Sequence, residues 1–221
     1  IGIARSGSWA AFYFSQMIAT NSSHWNNAIW FAAILLLIAL LFFFIYSLYD
    51  LKFDKQILNT TKLSEEDKFH ASDLLKLLTN RSFIFVTLLC MTFYSAVFPF
   101  QSFAPDFFFN KFGMTQIMSG KIASLLSVGT AIFTPLVGIL VDRKGKSASL
   151  MIVGSLMLVV IHLCFALTYI SPVILMVLLG IAFSLVPAAM WPSVAKIVPE
   201  RRIGSAYGTM FSIQNLGLFA F

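Results

Sequence analysis

The chain has 221 residues, of which 59% are hydrophobic, 24 are phenylalanine and only 11% are charged, with a mean hydropathy of +0.87. These values lie far outside the range of water-soluble globular domains and identify an integral membrane protein. The formal charge of +6 does not indicate nucleic acid, because the basic residues fall in short connections beside apolar runs, where membrane topology accounts for them.

A membrane-crossing helix needs about 20 apolar residues. Partial runs occur at residues 1–20 and 203–221, and complete ones at 27–49, 83–103, 117–141, 148–169 and 172–194. The expected fold is therefore all-α, polytopic transmembrane helical. The chain opens and stops inside apolar runs, with neither an initiator methionine nor a signal peptide, and is read as an internal portion of a longer protein. Lys52, Lys55, Lys62, Lys68, Lys76 and Arg81 share one connection, Arg143, Lys144 and Lys146 the next, and Lys196, Arg201 and Arg202 a third. These alternate with poorly charged connections, of which 21–26 and 168–172 have no Lys or Arg, so the three basic ones are assigned to the cytoplasm. Residues 50–80 form the one long polar segment. Ser64-Glu65-Glu66-Asp67 reads there as a helix start, and Leu74, Leu75, Leu77 and Leu78 beside Lys76 and Arg81 read as an interfacial amphipathic helix.

Arg5 lies within the first partial run, where an arginine costs roughly 2.5–3.5 kcal/mol on insertion scales and faces a partner or a water-filled cavity. The rise from Arg5 to Thr20 is about 22 Å, which puts Arg5 at or below the midplane. It reads as a guanidinium fork for a substrate carboxylate, as half of a structural ion pair, or as a snorkelling residue near the start of its helix. Two spans share an interruption, Tyr94-Ser95-Ala96-Val97-Phe98-Pro99-Phe100-Gln101 and Val186-Pro187-Ala188-Ala189-Met190-Trp191-Pro192. Proline removes a helix hydrogen bond and bends the helix. Paired breaks at corresponding depths point to a central site in transporters built from inverted repeats, and make Tyr94, Gln101 and Trp191 candidates for a cavity wall; the alternative is kinks that only shape packing.

The remaining features read as structural. His162 is assigned to packing with a local hydrogen bond, Cys90 and Cys164 to packing, and Phe42, Phe43 and Phe44 to lipid-facing bulk. Lys121 and Lys111 are placed at the outer end of one helix and in the loop before it, and Asn21-Ser22-Ser23 matches a glycosylation triplet. No nucleophile with its base, phosphate-binding loop or metal cluster is legible, so neither an enzyme nor a cofactor is expected.

The charged turn at residues 138–147 reads Gly-Ile-Leu-Val-Asp-Arg-Lys-Gly-Lys-Ser. Arg143, Lys144 and Lys146 stand at a helix C-terminus, where cations are favoured; Gly145 is expected to reverse the backbone, and Gly138 to admit a close neighbouring helix. This turn resembles the loop signature G-x-L-A-D-R-x-G-R-K of the major facilitator superfamily. Gly138, Leu140, Asp142, Arg143, Gly145 and Lys146 match, while Val141 stands for the usual alanine and Ser147 for the second basic residue. The resemblance implies a fold of two helical halves, with this chain running from part of the fifth helix to the start of the eleventh of twelve. On that count residues 1–49 end the first half, 50–82 form the cytoplasmic linker and 83–221 belong to the second half. It also implies a gating latch, in which Asp142 and Arg143 act with Gly138, Gly145 and Lys146.

Val97-Phe98-Pro99-Phe100, Lys111-Phe112-Gly113, Trp191-Pro192, Gly204-Ser205-Ala206-Tyr207-Gly208 and Ser212-Ile213-Gln214-Asn215-Leu216-Gly217 together resemble a dipeptide-transporting subgroup of that family. The implied function is secondary transport by alternating access, with a dipeptide or similar zwitterion as small-molecule substrate and Arg5 at its carboxylate. The implied setting is the lipid bilayer of a lysosomal, plasma or inner membrane, with any accessory membrane subunit left open. Rival readings are a proton-coupled sugar, drug or organic-anion carrier, and a non-transporting receptor or scaffold on the same fold.

Overall fold

A computed structural model of the chain describes residues 4–21, 24, 26–58 and 76–220; the side chains of residues 4, 5, 16, 54–58 and 201 are outside that description. Every long element among the described residues is an α-helix: α1 (Ala4–Asn21), α2 (Asn27–Leu58), α3 (Arg81–Phe112), α4 (Gln116–Lys144), α5 (Ser147–Leu167), α6 (Pro172–Ile197) and α7 (Ile203–Ala220), with one 3-10 turn at Glu200–Arg202. Helices α2 to α6 are long and apolar enough to cross a bilayer. The expected linker helix from Ser64 and the Asn21-Ser22-Ser23 triplet fall wholly or partly outside the described residues.

The chain forms two compact units, one within residues 18–70 and the other from residues 1–17 and 71–221. In the first, α2 presents Phe42, Phe43 and Phe44 exposed. It also continues past the expected end at residue 49, through Asp50, whose carboxylate accepts a 3.3 Å hydrogen bond from the Tyr46 hydroxyl one turn earlier. Apolar length sets where a membrane is crossed, whereas the helix itself ends only where its backbone finds another partner.

In the second unit the helix ends carry their own stops. The Asn80 side chain accepts from the Ser82 and Phe83 amides at 3.0 and 3.3 Å, which caps the start of α3. The helix then runs through Pro99 and Pro105 to Gly113, whose φ of 64° closes it beyond the apolar run expected to end at residue 103. Lys111 consequently belongs to the last turn of α3, not to the loop that follows. Thr115 caps α4 through the Met118 amide, and Gly145, at φ 64°, ends it by donating its amide to the Val141 carbonyl at 2.8 Å. The backbone reversal expected at Gly145 is thus present.

Helix α6 is central to this unit: it packs on α4 and α5 most extensively and also on α3 and α7, while α7 packs chiefly on α3. Its most apolar stretch is 72% buried, against 22% for α5. Small residues permit the crossings. A Cβ built on Gly129 would lie 3.1 Å from the Gly180 Cα, so α4 and α6 meet backbone to backbone; Gly154 lies likewise under Val186, and Gly217 under Met91 and Ser95. The expectation for Gly138 is corrected here. Among the described residues nothing lies within 4 Å of where its Cβ would be; in that turn of α4 it is Val137 and Val141 that are buried with Leu185, Ala188 and Ala189 of α6, and Gly138 lies off that contact.

Candidate functional site

Four helices of the second unit converge on a cavity of about 410 Å³. Tyr94 comes from α3, Thr130 and Thr134 from α4, Phe183, Pro187 and Trp191 from α6, and Tyr207 and Phe211 from α7. The wall is built from i, i+4 repeats, which place successive side chains on one helix face. Thr130 and Thr134 form one such row, Phe183, Pro187 and Trp191 a second, and Tyr207 and Phe211 a third.

Trp191 is held from several sides. Its indole N–H donates to the Tyr94 hydroxyl at 3.2 Å, its backbone carbonyl accepts from the Tyr207 hydroxyl at 2.9 Å, and its ring stacks on Phe211 with centroids 4.8 Å apart. Tyr94 is packed in turn against Phe93, Phe98 and Phe183, with centroids 5.9, 5.2 and 5.6 Å away. Locked aromatic rings of this kind form a rigid wall whose faces attract cations. Pro187 removes one N–H from the helix ladder at this level.

The hydroxyls supply the polarity. Thr130 donates to the Leu126 carbonyl at 2.8 Å, and Thr134 Oγ1 lies 3.4 Å from Ser184 Oγ, which itself donates to the Gly180 carbonyl. Hydroxyls retain acceptor lone pairs when they donate, so the wall offers mainly acceptors and ring faces. No lining residue carries a charge, and the described residues hold no cluster suited to a metal ion. Chemically the cavity can bind an apolar or aromatic group, or a cation over its rings.

Of the four residues singled out for a substrate wall, Tyr94 and Trp191 lie together on this cavity. Gln101 lies elsewhere: it is buried between α3 and α4, with its amide nitrogen 3.4 Å from Ser127 Oγ. Arg5 belongs to α1, but its side chain is outside the described residues. Thr130, Thr134, Phe183, Tyr207 and Phe211 were not anticipated, although their i, i+4 spacing was available as a signal. In the charged turn, Asp142, Arg143, Lys144 and Lys146 are all exposed, and among the described residues Asp142 has no ion-pair partner. His162 bonds the Leu158 carbonyl through Nδ1 at 2.9 Å, as expected of a packing residue, and lies edge-on to Phe100.

Comparison with known proteins follows the same line. A family model described as Major Facilitator Superfamily matches residues 2–221. The chain is also similar to proteins named lysosomal dipeptide transporter MFSD1: 38% identical over 161 residues to that of Mus musculus, a match covering 71% of this chain and 35% of the mouse protein. The Homo sapiens and Danio rerio proteins are 41% and 40% identical over 133 residues, covering 60% of this chain and 29% of each relative. The chain thus spans roughly a third of the length of these relatives.

Proposed function

From the premise that the chain belongs to the Major Facilitator Superfamily, a family of multi-pass membrane transporters, we propose that it forms the second-half wall of the central cavity of a dipeptide transporter. The observation that carries this reading is the uncharged aromatic cavity in which Trp191 is hydrogen-bonded to both Tyr94 and Tyr207. A dipeptide carries two charges and two side chains, so its ammonium or an apolar side chain is accepted over the rings while its carboxylate requires a cation from elsewhere. Arg5 is assigned that carboxylate, since a guanidinium meets it with two parallel hydrogen bonds. The similarity to proteins named lysosomal dipeptide transporters supports both the substrate class and a lysosomal membrane.

Transport follows by alternating access, the two helical halves rocking about a midplane site, with Asp142 and Arg143 biasing the gate. Labelled dipeptide uptake by the full-length protein in proteoliposomes, beside a free amino acid and a sugar, tests the assignment. Uptake confined to the dipeptide, and reduced at least tenfold by Arg5→Ala as expected for one lost charge-assisted bidentate contact, supports it. Absence of dipeptide uptake, or full uptake by the variant, overturns it.

A further inference from the structure

The α5–α6 seam carries two cavities unrelated to the aromatic one. At the end where α5 begins, a space of about 500 Å³ is lined by Lys146, Ser147 and Ser149 on one side and by Ser193 and Lys196 of α6 on the other. Both lysines are exposed, and among the described residues neither has an acidic partner; Asp142 and Glu200 do not line this space. The start of α5 has no side-chain cap; the Ser147 amide donates to the Gly145 carbonyl at 3.0 Å, which leaves the amides of Ala148 and Ser149, both lining residues, without intrahelical acceptors at the positive end of the helix dipole. The second cavity, about 330 Å³, is wholly apolar: Val153, Leu156, Met157, Val160 and Ile161 of α5 with Leu178 of α6.

The two are aligned. Ser149, Val153, Leu156 and Val160 recur at i, i+4, i+7 and i+11, a single stripe of one helix. From Ser149 to Val160 the rise is about 16 Å, close to the depth of one leaflet of a hydrocarbon core about 30 Å thick. A cationic end followed by an apolar groove of leaflet depth complements an amphiphile with an anionic head. We propose that this seam binds one anionic phospholipid of the surrounding membrane, its phosphate between Lys146 and Lys196 and an acyl chain along the groove. A soluble phosphate has no use for the groove, and a zwitterionic lipid gains less from the two ammonium groups. The inference rests on the membrane-crossing helices and is independent of the transported substrate.

Native mass spectrometry of the full-length protein in detergent, with equal amounts of dioleoyl-phosphatidylserine and dioleoyl-phosphatidylcholine, tests it, with inorganic phosphate as the soluble competitor. One phosphatidylserine is expected to be retained in preference. Each lysine near a membrane surface is worth roughly a fivefold effect, and the two factors multiply, so Lys146→Gln with Lys196→Gln is expected to lower retention by about twenty-five-fold. Lys146→Arg with Lys196→Arg is expected to keep it. Filling the groove by Leu156→Phe with Val160→Phe, an apolar change that leaves both charges in place, is expected to lower it too, whereas Lys52→Gln on α2 is not. Equal retention of both lipids, unchanged retention in the lysine-free or groove-filled variants, or complete displacement by inorganic phosphate each overturns the proposal, the last by reducing the site to a phosphate pocket.

Discussion

The contact between Gly129 and Gly180 decides how closely α4 and α6 pack, and hence the width of the cavity between them. A Cβ on Gly180 would stand 2.9 Å from the Gly129 Cα, and the obstacle is backbone, which cannot swing aside as a flexible side chain can. Gly180→Ala is therefore expected to destabilise the full-length protein by about 1–3 kcal/mol, the usual range for overpacking; Gly138→Ala, in open space, is expected to leave it unchanged or slightly more stable. Thermal unfolding in detergent reads both, and the reverse order would show that α4 and α6 do not meet where described. Glycine content alone could not have separated these positions, because a glycine signals that close approach is allowed without saying which helix face has a neighbour. The same limit applies to Gln101. It sits seven residues after Tyr94, near the same azimuth, but about 10 Å farther along the helix and beyond Pro99, so depth carries it to Ser127 instead of to the cavity. Tyr94 and Trp191 were legible through the paired prolines, and the threonine and aromatic rows were present in the sequence as i, i+4 repeats that proline spacing did not draw attention to.

Among the elements, apolar length located every described span and misplaced several ends, because ends follow capping groups. Helix α3 shows the consequence: its added turns carry Lys111 to the C-terminus of α5. There the ammonium donates to the carbonyl oxygens of Phe165 and Ala166, the latter at 2.9 Å, and lies 5.2–5.8 Å from the ring centres of Phe107, Phe112 and Tyr169. The last carbonyls of a helix lack amide donors and carry the negative end of its dipole, so the lysine ties a peripheral helix to the bundle. Lys111→Met keeps most of the apolar stem and removes the donor and charge. A loss of about 1–2 kcal/mol is expected from the helix-end and ring contacts together, with Lys111→Arg retaining most of it. Hydrogen exchange provides the local readout: faster exchange confined to the end of α5 and the start of α6 is the expected pattern, and uniform acceleration across all helices would argue against a local tie.

At the scale of the whole molecule, the charged turn after α4 poses an electrostatic question. Asp142 lies in the last turn of its helix, where the dipole disfavours an anion by roughly 0.3–1 kcal/mol, and it is exposed with no ion-pair partner among the described residues. Arg143 and Lys144 beside it, by contrast, complement the same helix end. An acid kept where it is unfavourable is explained if it finds a partner in another conformation, as the superfamily signature implies. Asp142→Asn is then expected to act oppositely on two observables. Thermal stability of the full-length protein should stay equal or rise by up to about 1 kcal/mol, as a repulsive end charge is removed. Transport turnover should fall several-fold, since a lost coupling of 1–3 kcal/mol corresponds to a shift of at least about fivefold between states, with substrate affinity measured by direct binding little changed. Parallel measurements of initial uptake rate, equilibrium binding and unfolding midpoint separate the outcomes. Lower stability with proportionally lower transport would make Asp142 a structural residue, and loss of binding affinity would move it from the gate to the site, whereas slower turnover on an equally stable protein with intact binding is what a latch requires.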